Sequence, residues 1–224
     1  SVNKDRFVLG SAYSEEIEAS LSEQYSENTT ELKTNRKVVN DIMLVWSPTK
    51  ALPVDYDNVH RIIDYLLDMF PNSVLFGGDK FQTESIKTYF ENRGIKSELF
   101  SFSTSMQFQF YSAVRMAVFN DKIAYVKNNL LIEELERLQK IGDNKVDHSP
   151  SFSKDAADNL AILYKLASSL DYGLISSSGG LDRYRDAKLI SMCEQLIGME
   201  NEGKDDGYIC EKMNISQSEL ELLK

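Results

Sequence analysis

The sequence predicts a mixed α/β domain, and three observations carry that prediction. Short apolar runs typical of strands come first in the chain. Segments whose apolar residues have helical spacing then alternate with further strand-like runs. The turn residues Pro and Gly separate several of these segments. Strands first, followed by strand–helix alternation, indicate a mixed sheet covered by helices.

The first half of the chain contains two long strands, a helix and a short buried strand. Residues 6–13 and 38–46 are strand-like, and Ser47-Pro48 ends the second run. Residues 15–35 are polar and acid-rich, which leaves open a helix with a weak apolar face or a mobile insertion. A helix precedes Pro71, since its apolar residues have helical spacing. These residues are Val59, Ile62, Ile63, Leu66, Leu67 and Phe70. Residues 74–77 then form the buried strand.

The second half of the chain is predicted to contain four helices and one further strand. A helix over residues 84–92 ends at Arg93-Gly94, and residues 97–102 are strand-like. Two helices follow, over residues 107–120 and 129–140. The last long helix has Ser153 as its N-cap and runs to about Leu170. We place the end of the core near residue 170.

The composition describes an ordinary globular chain and excludes some functions. Of 224 residues, 42% are hydrophobic and 27% are charged, with a net charge of −10. No apolar run approaches the ~20 residues that span a membrane, and a signal-peptide pattern is absent. Cys193 and Cys210 have no metal-type spacing, which favours reduced thiols in a cytosolic protein. His60 and His148 are too few for a His-rich zinc site.

The negative charge also bears on nucleic-acid binding. It argues against a protein that coats nucleic acid by bulk electrostatics. It still allows a nuclease whose cations neutralise the site locally. We expect this piece of chain alone to bind DNA weakly.

Three aspartates form the candidate catalytic and metal-binding set. Asp79 directly follows the apolar run of residues 74–78. If this run is a strand, the Asp79 carboxylate lies at its C-terminal end. Asp155 and Asp158 lie three apart, on one face of the last long helix. Asp155 has an alternative role, since an acid in a first turn complements the helix dipole. Carboxylates gathered in this way favour Mg²⁺ or Mn²⁺, and two such ions can clamp a phosphodiester during cleavage.

At these positions the chain resembles the nuclease domain of the large terminase subunit of tailed bacteriophages, which has an RNase H-like fold. Residues 76–85 (FGGDKFQTES) are similar to the family's segment of a strand, an Asp, an aromatic residue, Gln and Ser. Residues 145–158 (KVDHSPSFSKDAAD) are similar to its Val-Asp-His-Pro segment, followed by Lys-Asp with a second Asp three later. The resemblance covers roughly residues 1–170. The closing Asp-Ala-Ala-Asp also resembles that of RNase H-like Holliday-junction resolvases.

The resemblance implies an RNase H-like mixed sheet flanked by helices and a two-metal site that uses Asp79, Asp155 and Asp158. The family's first catalytic Asp would lie a residue or two before Ser1, so we expect a fragment or a truncated first strand. The implied activity is cleavage of concatemeric double-stranded DNA in the host cytoplasm, transiently on the procapsid. The implied partners are a portal protein, a small terminase subunit and an ATPase domain of the same protein. No ATP-binding Gly-x-x-x-x-Gly-Lys loop lies in this sequence.

Residues 171–224 are predicted to be a small helical C-terminal extension. Residues 176–180 (SSSGG) are the linker-like stretch, and residues 207–220 resemble a helix-turn-helix. The second helix of that pattern is acidic, which suits protein docking or a structural role better than a DNA groove.

Two other functions stay open. The chain could be another RNase H-like nuclease, such as a junction resolvase, or a non-catalytic docking scaffold of the packaging motor.

Lys154 suits a phosphate contact and a solvated position equally. Glu133, Glu134 and Glu136 are predicted to form a solvated helix face.

Overall fold

The chain has a mixed α/β fold in which small sheets are flanked by helices, which confirms the predicted class. The computed structural model describes residues 6–16, 36–49, 53–80, 83–142, 145–148, 152–170, 195–199 and 201–213. The strands are β1 (Phe7–Glu16), β2 (Arg36–Trp46), β3 (Leu75–Asp79), β4 (Lys96–Phe100), β5 (Ile123–Ala124), β6 (Gln139–Ile141) and β7 (Lys145–Asp147). The helices are α1 (Tyr56–Met69), α2 (Glu84–Glu91), α3 (Thr104–Phe119), α4 (Asn129–Arg137), α5 (Asp155–Ser169) and α6 (Asp206–Met213).

The strands of the described segments form three separate sheets. β1 pairs antiparallel with β2, which pairs parallel with β5. β3 pairs parallel with β4, and β6 with β7 forms a small antiparallel hairpin. The register of β1 on β2 shifts between Ser11 and Ala12, and the buried Asn40 side chain donates hydrogen bonds to the carbonyl oxygens of Ser11 and Ile42 there. This bulge keeps its carbonyl groups satisfied although the ladder is interrupted.

Alternation along the strands assigns the two faces of the sheets to different helices. Phe7 and Leu9 of β1 and Phe76 of β3 pack in the cluster formed with α1 and α2. Val8 of β1 and Leu75 of β3 pack in the other cluster, with α3 and α5. Successive strand residues point to opposite faces, so the apolar residues of both strands bury both faces. α5 therefore covers the same face of β1 and β3.

Glycines allow α5 to lie close to both strands. A Cβ atom at Gly10 of β1 would meet Asn159 and Leu163 of α5. A Cβ atom at Gly77 of β3 would meet Ile162 and Leu166 of the same helix. Glycine at these two positions thus sets the distance between the helix and the sheets.

A cavity of about 400 Å³ lies between β1 and β3 and extends beside α5. Nearly all of β1 and all of β3 line it. Among the described residues, β1 is paired only with β2 and β3 only with β4. Within the described part of the chain, the edges of two different sheets therefore line one cavity.

The structure differs from the predicted elements at several boundaries and contains three short strands, β5, β6 and β7, that were not predicted. β1 continues through Glu16, so the start of the polar segment 15–35 is strand, and the rest of that segment lies outside the described residues. The predicted helix over residues 129–140 ends at Arg137, since the β6–β7 hairpin follows. The N-cap of α5 is Lys154 rather than Ser153.

The C-terminal extension is described only in part. Residues 195–199 are helical, and Ile197 packs in the same cluster as α1 and α2. Asn201 donates a hydrogen bond to the Val45 carbonyl and accepts one from the Ser47 amide. The linker-like residues 176–180 and the second half of the helix-turn-helix pattern lie outside the described residues, whereas α6 coincides with its first half. No helix in the described part of the chain has the length and apolar character of a membrane span.

We expect Gly10→Val to destabilise the protein by about 1–3 kcal/mol, because added side-chain atoms would push α5 away from β1. Urea unfolding monitored by circular dichroism measures this loss. Gly198→Val is the control with the same substitution, because nothing lies within 4 Å of a Cβ atom at that exposed position. An unchanged unfolding midpoint in Gly10→Val would show that the helix does not need this close approach.

Candidate active site

Asp79 lies at the last position of β3, as predicted from the apolar run that precedes it. Leu75 and Gly77 point to α5, and Asp79 shares their face because strand side chains alternate. The Thr83 hydroxyl donates a 2.5 Å hydrogen bond to the Asp79 carbonyl oxygen, which ties the strand end to the start of α2. The Asp79 side chain is half-buried and lines the cavity.

Asp155 is the first residue of α5 and is held from two directions. Its Oδ2 accepts a 2.8 Å hydrogen bond from the Arg6 backbone amide and a 2.6 Å bond from the Ser153 hydroxyl. Arg6 immediately precedes β1, so this carboxylate joins the start of the helix to the start of the strand. Such bonds fix the carboxylate at the edge of the cavity that it lines.

Asp158, one turn later, has protein partners for both oxygens. The Tyr111 hydroxyl of α3 donates a 2.5 Å hydrogen bond to Oδ1, and Lys154 Nζ lies 3.4 Å from Oδ2. Burial raises the pKa of Asp158, although Lys154 and Tyr111 act in the opposite direction. Burial and the neighbouring Asp158 raise the pKa of Tyr111 well above its usual range. Lys154 thus offsets part of the like-charge repulsion between Asp155 and Asp158, which lie at i and i+3 on α5.

Glu134 is a buried carboxylate beneath this site, and the prediction of a solvated position for it was wrong. Only 4% of the residue is exposed. Its Oε2 accepts hydrogen bonds from the amides of Ala156 and Ala157, at 2.8 and 3.0 Å, and so caps α5 from another helix. Its Oε1 lies 3.2 Å from the Ser153 hydroxyl and 3.4 Å from Arg6 Nη1. Burial raises the pKa of Glu134, and the amide of Ala157 opposes that shift.

Asp41 of β2 is a further acidic residue near the site, and it was not among the residues predicted from the sequence. It lines the same cavity, and burial raises its pKa against a hydrogen bond from Ser11. The signal was present in the sequence, since Asn40 and Asp41 interrupt an otherwise apolar strand. Asn40 serves the bulge described above, and Asp41 adds negative charge to the cavity wall.

Asp79 therefore lines the same cavity as Asp155 and Asp158, although it is far from them in the sequence. All three present the hard oxygen ligands that Mg²⁺ and Mn²⁺ prefer. In the part of the chain that the structure describes, however, no three carboxylate, histidine or cysteine side chains converge closely enough to hold a metal ion. The donor type therefore fits a divalent cation, whereas the described carboxylates do not by themselves converge on one ion.

His148 is not among the residues that line the cavity. It follows β7, and its Nε2 lies 4.0 Å from Asp147. Lys154 is largely buried and directed to Asp158, so this structure assigns it a charge-balancing contact.

The comparisons with known proteins add no assignment. No protein-family model, no curated protein and no solved structure matches the chain. The functional argument therefore depends on the residues and geometry of the cavity.

The raised pKa of Asp158 predicts a pH dependence of stability. The folded state keeps the Asp158 proton to higher pH than the unfolded chain does. The contribution of Asp158 to the free energy of unfolding therefore falls as pH rises from the unfolded carboxyl pKa through the raised folded pKa. Relative to Asp158→Asn, the wild type should lose stability across that window in urea titrations with chelator present.

Asp147→Asn is the control of opposite sign. Lys145 and the His148 amide lower the pKa of Asp147, so its contribution is present above the unfolded carboxyl pKa and is lost as pH falls through the folded value. If the free energy of unfolding of the wild type increased relative to that of Asp158→Asn as pH rises, the raised pKa of Asp158 would be contradicted.

Proposed function

We propose that this chain is a metal-dependent endonuclease domain with an RNase H-like fold, of the kind found in phage large terminase subunits, and that it cleaves double-stranded DNA. The observation that supports this proposal best is that Asp79, Asp155 and Asp158 line one cavity. The motif around residues 145–158 supports the terminase assignment over other nucleases of this fold.

In this proposal Asp79 and Asp155 hold divalent cations, Mg²⁺ or Mn²⁺, and Asp158 contributes from the adjacent turn. When bound, such cations activate water and stabilise the leaving oxygen of a phosphodiester. The chain's own residues orient the ligands: the Arg6 amide and the Ser153 hydroxyl fix Asp155, and Tyr111 and Lys154 fix Asp158. The acidic charge of the chain means that DNA grip comes from partners, namely an ATPase domain of the same protein, a portal protein and a small subunit.

The cavity between the two sheet edges supports the RNase H-like part of the proposal. One extended strand between β1 and β3 would pair with both of these strands and join two sheets into one. Small side chains would suit its α5-facing side, because Gly10 and Gly77 keep that helix close. Larger apolar side chains would suit the other side, where Ile63, Leu66 and Phe90 line the cavity.

We expect Asp79→Asn and Asp155→Asn to abolish Mn²⁺-dependent nicking of plasmid DNA, because each removes a carboxylate that binds metal in this proposal. Asp79→Asn should leave the melting temperature unchanged or higher, because it relieves carboxylate repulsion in the metal-free site. Asp68→Asn, an exposed change on α1, is the charge-matched control and should cut like the wild type. Calorimetry with Mn²⁺ in parallel separates metal binding from cleavage.

The same assay distinguishes the alternatives. Preferential cutting of four-way junctions by a dimer would favour a resolvase. Absence of carboxylate-dependent Mn²⁺ binding would favour a docking scaffold. Full activity in Asp79→Asn would remove that residue from the site.

Fusing one additional strand to the chain tests whether the cavity accepts a strand between β1 and β3. A designed segment of alternating small and β-branched residues, joined to the N-terminus through an Asn-Gly turn, should raise the melting temperature and slow hydrogen exchange at amides of both β1 and β3. The control carries Pro at the centre of the added segment. Protection of β1 alone, or of neither strand, would show that no strand occupies the cavity.

A further inference from the structure

Glu134 connects the N-terminus of α5 to the groups that hold Asp155. Each of its oxygens has a separate set of partners. Oε2 accepts from the amides of Ala156 and Ala157 within α5. Oε1 faces the Ser153 hydroxyl and the Arg6 guanidinium. Both of these partners in turn contact Asp155.

The two groups that hold Asp155 belong to Arg6 and Ser153, the same residues that contact Glu134 Oε1. The Arg6 side chain lies at Glu134, while the Arg6 backbone amide donates to Asp155 Oδ2. The Ser153 hydroxyl lies 3.2 Å from Glu134 Oε1 and 2.6 Å from Asp155 Oδ2. A shift of the Glu134 carboxylate would therefore move both groups that fix the orientation of Asp155.

We propose that Glu134 is a positioning residue for Asp155: it fixes Arg6 and Ser153, which hold the Asp155 carboxylate toward the cavity. This inference rests on the proposed function, since it gives Asp155 the role of a cation ligand. Glu134 itself does not line the cavity and is not a ligand. Partners of this kind typically change metal affinity 10- to 100-fold.

Glu134→Gln separates positioning from simple capping. The glutamine oxygen can still accept the amides of Ala156 and Ala157, so α5 keeps its cap. Its amide NH₂ would then face Arg6 and Ser153, and the attraction for the guanidinium would be lost. Glu136→Gln is the control, because Glu136 is an exposed acid on the same helix and the charge change is identical.

The test measures Mn²⁺ affinity by calorimetry and the Asp155 side-chain carboxyl chemical shift by NMR in the metal-free protein. We expect Glu134→Gln to weaken Mn²⁺ binding by about 10- to 100-fold and to move the Asp155 resonance, with Glu136→Gln unchanged in both. Ser153→Ala should weaken binding in the same direction, and the double variant should lose less than the sum of the two.

The outcomes separate the two proposals. If the wild type binds Mn²⁺ and Glu134→Gln binds it equally well, the positioning role is overturned while the nuclease site stands. If the wild type does not bind Mn²⁺, the proposed function fails. The Asp155 resonance then decides the coupling alone: a shift specific to Glu134→Gln supports it, and an unmoved resonance overturns it.

Discussion

The packing of α5 across the edges of two sheets is the constraint on which the rest of this structure depends. The described strands form separate sheets, and α5 contacts β1, β2 and β3 as well as α3 and α4. Its buried face is formed largely by alanines and leucines, including Ala156, Leu160 and Ala167. Close approach at Gly10 and Gly77 then fixes where its first turn lies relative to the strand ends. The positions of Asp155 and Asp158 follow from that contact.

The first turn of α5 also concentrates buried charge. A buried carboxylate is costly unless it is hydrogen-bonded or paired, and Glu134, Asp155 and Asp158 lie close together in the fold. Each is compensated differently. Glu134 accepts two amides at a helix N-terminus, where the dipole favours an anion. Asp155 accepts an amide and a hydroxyl, and Asp158 has Lys154 and Tyr111. Because burial still raises the pKa of Glu134 and Asp158, this compensation is incomplete.

Local patterns in the sequence predicted the long elements well, since their signals are local. The helical spacing of apolar residues predicted α1 and α5. An unbroken apolar run predicted the part of β2 that follows Asp41. The acid that ends β3 was found for the same reason. The β6–β7 hairpin was missed because its strands are three residues each and largely exposed, so alternation carries little information. β5 has only two residues and depends on its pairing with β2.

The contacts of the site were harder to predict because they join residues distant in sequence. Glu134 lies between exposed acids on α4, and its neighbours Glu133 and Glu136 are indeed exposed. Nothing in that local pattern distinguishes the one side chain that reaches the amides of α5. Ser153 is suited by type to cap a helix, and its hydroxyl oxygen does accept the Asp155 amide at 3.2 Å. The same hydroxyl donates to the Asp155 carboxylate at 2.6 Å and lies 3.2 Å from Glu134, contacts that its type alone does not predict. Local propensity identified the right residues at this turn, and tertiary contact decided what each of them does.

The distribution of charge gives the cavity its chemical character. Asp41, Asp79, Asp155 and Asp158 line it, whereas Arg6 is the basic residue among the described lining groups. The Arg6 guanidinium is directed to the buried Glu134, and Lys154 lies at Asp158 without lining the cavity. These two cations thus pair with the carboxylates beneath and beside the cavity, and the wall itself keeps an excess of negative charge. Such a wall repels a phosphate backbone unless cations lie between them. In the proposed reaction, a divalent cation would supply the positive charge that this wall lacks.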